Sequence, residues 1–150
     1  TRKESSAASD VYKRQPQLCV NAKVRRLHRL LNGPHQDLIR PYGLKGSMLS
    51  ILFMIGKSNI NQKKIAQQLV LDESTMSRDL KKLESLGFID RARGVDARHV
   101  TLRITETGLS LLDDVSPKWA ALHEKVAIAI GDELLESLNK LMQKLENLEL

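Results

Sequence analysis

With 150 residues, 41% of them apolar, the chain suits one compact unit, or one small domain plus a dimerisation arm. Aromatic residues make up only 3%, which argues against wide stacking platforms for single-stranded nucleic acid. The net charge is +6. Cys19 is the only cysteine, so no intrachain disulfide can form and a reducing compartment is expected. No apolar run reaches membrane-spanning length, and no secretory signal pattern is present. The expected location is cytoplasmic, with no membrane partner.

The charge is unevenly placed. From Pro16 to Asn59 seven basic residues face one acid, Asp37, whereas from Thr105 to Leu150 four basic residues face nine acids. A chain basic in front and acidic behind suggests a polyanion-binding part and a separate arm.

Residues 1–15 read as a disordered assembly scar. Ser5 to Gln15 looks like the in-frame translation of a sequencing-library adapter, so native sequence is expected to begin near Pro16. Leu18 to Leu31 reads as helix, because Val20, Val24, Leu27 and Leu31 recur at helical spacing with Arg25, Arg26 and Arg29 on other faces. Asn32-Gly33-Pro34 is a breaker at which this helix should bend or stop, to resume over Gln36 to Arg40 before Pro41-Tyr42-Gly43. Leu44 to Ile55 is apolar almost all round and predicts a central buried helix ended by Gly56.

Asn61 to Leu69 predicts a short helix, capped by Asn61, with Ile65, Ala66 and Leu69 inward. Val70-Leu71 is a tight connection to the next helix, Asp72 to Gly87. Asp72 can cap that helix by accepting from the first-turn N–H groups, and Gly87 can end it in the left-handed conformation. Met76, Leu80 and Leu83 share one face, while Ser74, Arg78 and Lys81 point the opposite way. Two short helices so joined read as a helix-turn-helix. The outer face of the second is small and polar, then basic, and can donate to base edges and meet phosphates. Taken alone it reads more readily as an ordinary solvated amphipathic face, and the flanking sequence reverses that preference.

Phe88 to Arg93 and His99 to Ile104 predict a two-stranded hairpin with a basic tip, since Val100, Leu102 and Ile104 alternate with polar residues. After a helix-turn-helix such a hairpin is a wing. Thr105 caps a long helix whose Leu112, Val115, Trp119, Leu122, Val126 and Ala129 form a coiled-coil-like seam, with Pro117 inside it as an expected kink. Gly131-Asp132 starts another helix, with Leu134, Leu138, Leu141, Leu145 and Leu148 in a second seam. A partner chain is the natural cover for seams this long. The expected fold is therefore mostly α with a small β-hairpin wing. Residues 44–104 form a winged helix-turn-helix DNA-binding domain, and residues 16–43 with 105–150 form a helical dimerisation region.

From about Leu18 to Leu148 the sequence resembles the MarR-type (multiple antibiotic resistance regulator) family of winged-helix transcription factors. The markers are Ile65-Ala66…Leu69, Leu71 to Arg78, Leu83 to Ile89, Asp96-Ala97-Arg98, and Leu102 to Gly108, in that order and spacing. The resemblance implies a homodimer that binds pseudo-palindromic duplex DNA and usually represses nearby promoters. It implies that the first helix and the last two form the dimer interface, and that small ligands or oxidants often release the DNA. Carried over, Ser74, Thr75, Ser77 and Arg78 match positions that reach bases or phosphates. Arg98 matches the wing arginine that reaches toward the minor groove, where a guanidinium suits the negative potential; the alternative is a solvated wing tip. Asp96 matches the acid that holds that arginine's loop, and is otherwise a turn-forming Asp. Lys81 and Lys82 suit phosphates better than bases. Arg91 and Arg93 share one face of the hairpin and could also meet phosphates. Two features depart from the family pattern. Lys64 stands where a capping-box glutamate is common, and Gly33-Pro34 interrupts the first helix.

An enzyme is the rival class. His28, His35, His99 and His123 lie in separate segments without metal-ligand spacing. No Gly-rich phosphate loop follows a strand, and no serine sits in an elbow-like setting. No catalytic residue, metal or cofactor is expected. Cys19 has two readings. Peroxide-sensing members of the family carry a reactive cysteine near the start of the first helix, and Lys23 and nearby arginines could favour a thiolate. The other reading is a small buried apolar residue. Trp119, His28 and Met48 could line an effector pocket or be plain core. A helical adaptor, binding another protein through its Leu seams with little DNA binding, is the remaining alternative.

Overall fold

A computed structural model describes residues 19–57, 61–93 and 100–148. The expectations for residues 1–15, Asp96 and Arg98 lie outside the described residues. The elements are α1 (Val20–Ile39), a 3-10 turn (Arg40–Tyr42), α2 (Gly46–Lys57), α3 (Gln62–Leu69), α4 (Glu73–Ser85), β1 (Ile89–Arg93), β2 (Val100–Ile104), α5 (Glu106–Ile130) and α6 (Asp132–Glu146). The chain divides into two compact units, Thr1–Asp37 and Leu38–Leu150.

In the first unit α1 does not stop at Asn32-Gly33-Pro34 but runs through it. Proline removes one N–H and crowds the carbonyl four residues earlier, yet the neighbouring turn is supported by His35, whose Nδ1 lies 2.9 Å from Leu31 O. Val20, Val24, Leu27 and Leu30 are all exposed on this chain.

The second unit is built on one apolar core. Leu49, Ile51 and Leu52 of α2, Ile65 of α3, and Met76, Leu80 and Leu83 of α4 are buried with Ile89 and Leu102 of the hairpin and Leu111 and Val115 of α5. Gly43, at φ 72° and donating its N–H to Arg40 O at 2.9 Å, closes the 3-10 turn. Gly56 does not end α2 as expected but lies inside its last turn. A Cβ there would stand 3.3 Å from Leu112 Cδ1, so the missing side chain makes room for α5. The 3-10 turn is tied to α5 by Tyr42, which donates to Asp114, while Lys118 Nζ stands 2.8 Å from the same carboxylate.

The strands are antiparallel, with Ile89 opposite Ile104, Arg91 opposite Leu102 and Arg93 opposite Val100. Asn61 bridges to Thr101, so β2 also holds the start of α3. That helix is capped by Asn61, whose side chain accepts from Lys64 N–H at 2.9 Å. The lysine supplies no carboxylate for a reciprocal cap.

Thr105 caps α5, accepting from Gly108 N–H at 3.0 Å, and α5 continues through Pro117. Of the predicted seam only its first part is buried: Val115 is inside, Leu112, Trp119, Leu122 and Val126 are half-buried and Ala129 is exposed. Further on, Ile128, Leu134, Leu141, Met142, Leu145 and Leu148 are exposed. Among the described residues, no single helix is long and apolar enough to cross a membrane.

Candidate nucleic-acid interface

The outward face of α4 follows from what holds its inner face. Met76, Leu80 and Leu83 are fully buried, which turns Ser74, Arg78, Lys81 and Lys82 into solvent and leaves Thr75 and Ser77 half-buried. Of the ten residues expected to meet DNA, these six and Arg91 are described with their side chains.

At the front of α4, Asp72 is the N-cap. Its Oδ1 accepts from Thr75 N–H at 2.8 Å and from the Ser74 hydroxyl at 2.6 Å, and its Oδ2 accepts from the Thr75 hydroxyl at 2.7 Å. These hydroxyls and the Thr75 N–H hold the Asp72 carboxyl well below the usual carboxylate range. The consequence for recognition is one of polarity. With its proton committed to Asp72, the Ser74 hydroxyl offers only lone pairs outward, so it is an acceptor suited to the amino groups of adenine or cytosine in a major groove. Arg78 folds back along the helix, donating from Nε to Ser74 O at 3.2 Å and from Nη2 to Thr75 Oγ1 at 3.4 Å. Its guanidinium has further donors to offer a phosphate or a base.

The far end of α4 is equally well defined. Gly87, at φ 75°, allows its N–H to reach Glu84 O at 2.9 Å and Phe88 N–H to reach Leu83 O at 3.0 Å, which is a Schellman closure. Thr105 then donates its hydroxyl to Gly87 O at 2.5 Å and its N–H to Phe88 O at 3.1 Å. Gly108 is required beside this junction, because a Cβ there would fall 2.2 Å from Phe88 O.

The hairpin places Arg91 on the strand face shared with buried Ile89 and Leu102. Arg91 Nε pairs with Glu84 of α4 at 2.9 Å, and its side chain is 30% exposed. It therefore ties wing to helix, with part of its surface left for a phosphate. Arg93 ends β1 opposite Val100. Asp90 and Arg103 face each other across the strands and are exposed.

One buried charged side chain is not evident from sequence. Asp79 of α4 is 1% exposed. It accepts from the Ser47 hydroxyl at 2.6 Å and pairs with Lys45 Nζ at 2.7 Å. The available signal was its position between Met76 and Leu83 on the apolar face, where a charge implies a buried partner.

Cys19 is exposed on this chain, which corrects the reading of it as a small buried apolar residue. The physical reason is its place immediately before α1, whose early turns bury nothing. Met48 is buried in the core, Trp119 packs half-buried against it, and His28 is exposed.

Two short helices at a tight turn, the second presenting a polar and basic face, and a two-stranded hairpin beyond it define a winged helix-turn-helix protein. The MarR family profile matches residues 47–100, which span α2 to the start of β2. The HTH-type transcriptional regulator MgrA of Staphylococcus aureus is 28% identical over 141 residues, covering 91% of this chain and 92% of that protein. An uncharacterized HTH-type transcriptional regulator of Bacillus subtilis, YwoH, is 25% identical over 116 residues, covering 77% of this chain and 85% of its own length. Among solved structures, the M. tuberculosis transcriptional regulator MosR in complex with DNA superposes with a TM-score of 0.76 at 25% identity, over 88% of this chain and 99% of that one. The chain is similar in sequence and fold to MarR-family regulators, which makes it a DNA-binding transcriptional regulator rather than an enzyme.

Proposed function

We propose that the chain represses transcription as a homodimer on a pseudo-palindromic operator in the cytoplasm, its two α4 helices entering successive major grooves about 10 bp apart. The observation that carries this reading is the anchored α4. Buried Met76, Leu80 and Leu83 fix the face that carries Ser74, Arg78, Lys81 and Lys82 outward. Ser74, Thr75, Ser77 and Arg78 read the groove, and Lys81, Lys82, Arg91 and Arg93 meet the backbone. Arg98, oriented by Asp96, reaches the minor groove. The dimer is supported by apolar side chains that a single chain leaves in water: Val20, Val24, Leu27 and Leu30 on α1, and Leu134, Leu141, Leu145 and Leu148 toward the end of the chain. Burying such side chains on association is favoured by about 25 cal/mol per Å² of apolar surface. Release of the DNA by a small effector is part of the proposal, by resemblance to the family.

The test begins with selection of bound fragments from random duplexes, followed by gel-shift titration and sedimentation of the free protein. A dimer with an inverted-repeat preference is expected. Arg98→Ala should weaken operator binding while leaving the dimer intact. A monomer, or equal affinity for all duplexes at low salt, refutes the proposal. A genomic operator beside an efflux gene would direct the effector search to the small molecules exported.

A further inference from the structure

We infer that Asp79 is a positioning residue that sets how α4 is rotated on the core, and that it contributes to operator discrimination rather than to stability. The inference rests on α4 being the DNA-reading helix.

The side chains that hold the middle of α4 are otherwise apolar. Met76, Leu80 and Leu83 are fully buried, and apolar packing tolerates small slides and rotations because it has no directional bond to break. Asp79 lies among them on the same face. Its two oxygens are used separately: Oδ2 accepts from Ser47 at 2.6 Å and Oδ1 pairs with Lys45 at 2.7 Å. Lys45 immediately precedes α2 and Ser47 lies in its first turn. Two short, charge-assisted bonds from one carboxylate to one helix start define an angle as well as a distance. A helix with side chains is about 5–6 Å in radius, so a rotation of about 10° moves its outer tips by about 1 Å. Arg78, the residue next to Asp79, and Ser74 project from the opposite face. A displacement of that size takes hydrogen bonds to base edges out of range, while phosphate attraction, which is long-ranged, hardly changes.

The chemistry also argues against a purely stabilising role. A buried carboxylate loses its hydration, and an apolar replacement of similar shape is often neutral or more stable. Lys45 is half in water, at 52% side-chain exposure, so its charge is re-solvated if the pair is broken. What an apolar side chain cannot supply is the angle.

The experiment compares wild type with Asp79→Leu, branched at the same carbon, Asp79→Asn, which still accepts from Ser47, and Lys45→Met, which removes only the ion pair. Each is measured for urea stability, for affinity to a scrambled duplex and for affinity to the selected operator. Asp79→Leu should be at least as stable as wild type and bind the scrambled duplex within about twofold. Its operator-to-scrambled ratio should fall about tenfold or more, the scale of one good bidentate base pairing. Asp79→Asn should lie between the two. An unchanged ratio in a stable Asp79→Leu overturns the inference. If that variant does not fold, the same ratio in Asp79→Asn and Lys45→Met decides: a partial fall supports the role, and wild-type ratios overturn it. A wild-type protein without operator preference defeats the reading of α4 itself, a separate failure visible before any variant is made.

Discussion

Gly108→Ala is a severe test of how α4 is joined to the long helix α5. A Cβ built at Gly108 would stand 2.2 Å from Phe88 O and 2.7 Å from Ile104 Cγ1, more than 1 Å inside ordinary van der Waals range of a backbone atom. Backbone oxygen cannot turn away as a side chain can, so α5 must retreat from the α4–β1 junction. Overpacking of this kind costs about 1–3 kcal/mol. The retreat also strains two hydrogen bonds, Thr105 N–H to Phe88 O at 3.1 Å and the Thr105 hydroxyl to Gly87 O at 2.5 Å, each worth about 1 kcal/mol. Against these, alanine gains at most about 1 kcal/mol of helix propensity. The expected net loss is about 2–3 kcal/mol, read as a lowered midpoint in urea at fixed protein concentration, because dimerisation would shift it. A variant as stable as wild type, or more stable by the propensity gain alone, would refute the close approach.

Val70 is the non-glycine residue with positive φ among the described residues, at φ 52° and ψ 44°, and it is 85% exposed. Val70→Asn should gain about 1 kcal/mol by relieving a branched side chain in the left-handed region; a loss in urea denaturation would show the turn to be unstrained. Lys81→Ala and Lys82→Ala should each lower the slope of log affinity against log salt by about 1 for a phosphate no longer neutralised, and an unchanged slope would place that lysine away from the backbone. The Asp72 and Asp114 carboxyls are both held below their ordinary value of 3.8, by Ser74 and Thr75 and by Lys118 and Tyr42 respectively. A depressed carboxyl contributes stability that is present above its unfolded pKa and lost as pH falls through the folded one. Asp72→Asn should therefore differ from wild type above about pH 4 and converge with it on acidification, followed by circular dichroism. Parallel acid-unfolding curves would count against the Asp72 cluster.

Local pattern was enough to find α4 and what it points outward. Asp72 caps, Gly87 closes, and Met76, Leu80 and Leu83 mark one stripe, because capping and amphipathicity are written within a few residues of the chain. The hairpin and the Thr105 start of α5 were legible for the same reason. Three features needed tertiary structure. Gly56 reads as a helix stop, yet its lack of a side chain accommodates Leu112 from far along the sequence. Arg91 reads as a free base on a wing, yet the register turns it toward Glu84. Asp79 reads as one more polar residue in a charged helix, yet folding buries it against Lys45 and Ser47. In each case the deciding partner is outside the element itself, and a periodicity within one helix or strand carries no information about what packs against it. Local sequence thus specifies which face α4 turns outward, whereas the bonds that tie its inner face to the start of α2 exist only once the chain has folded.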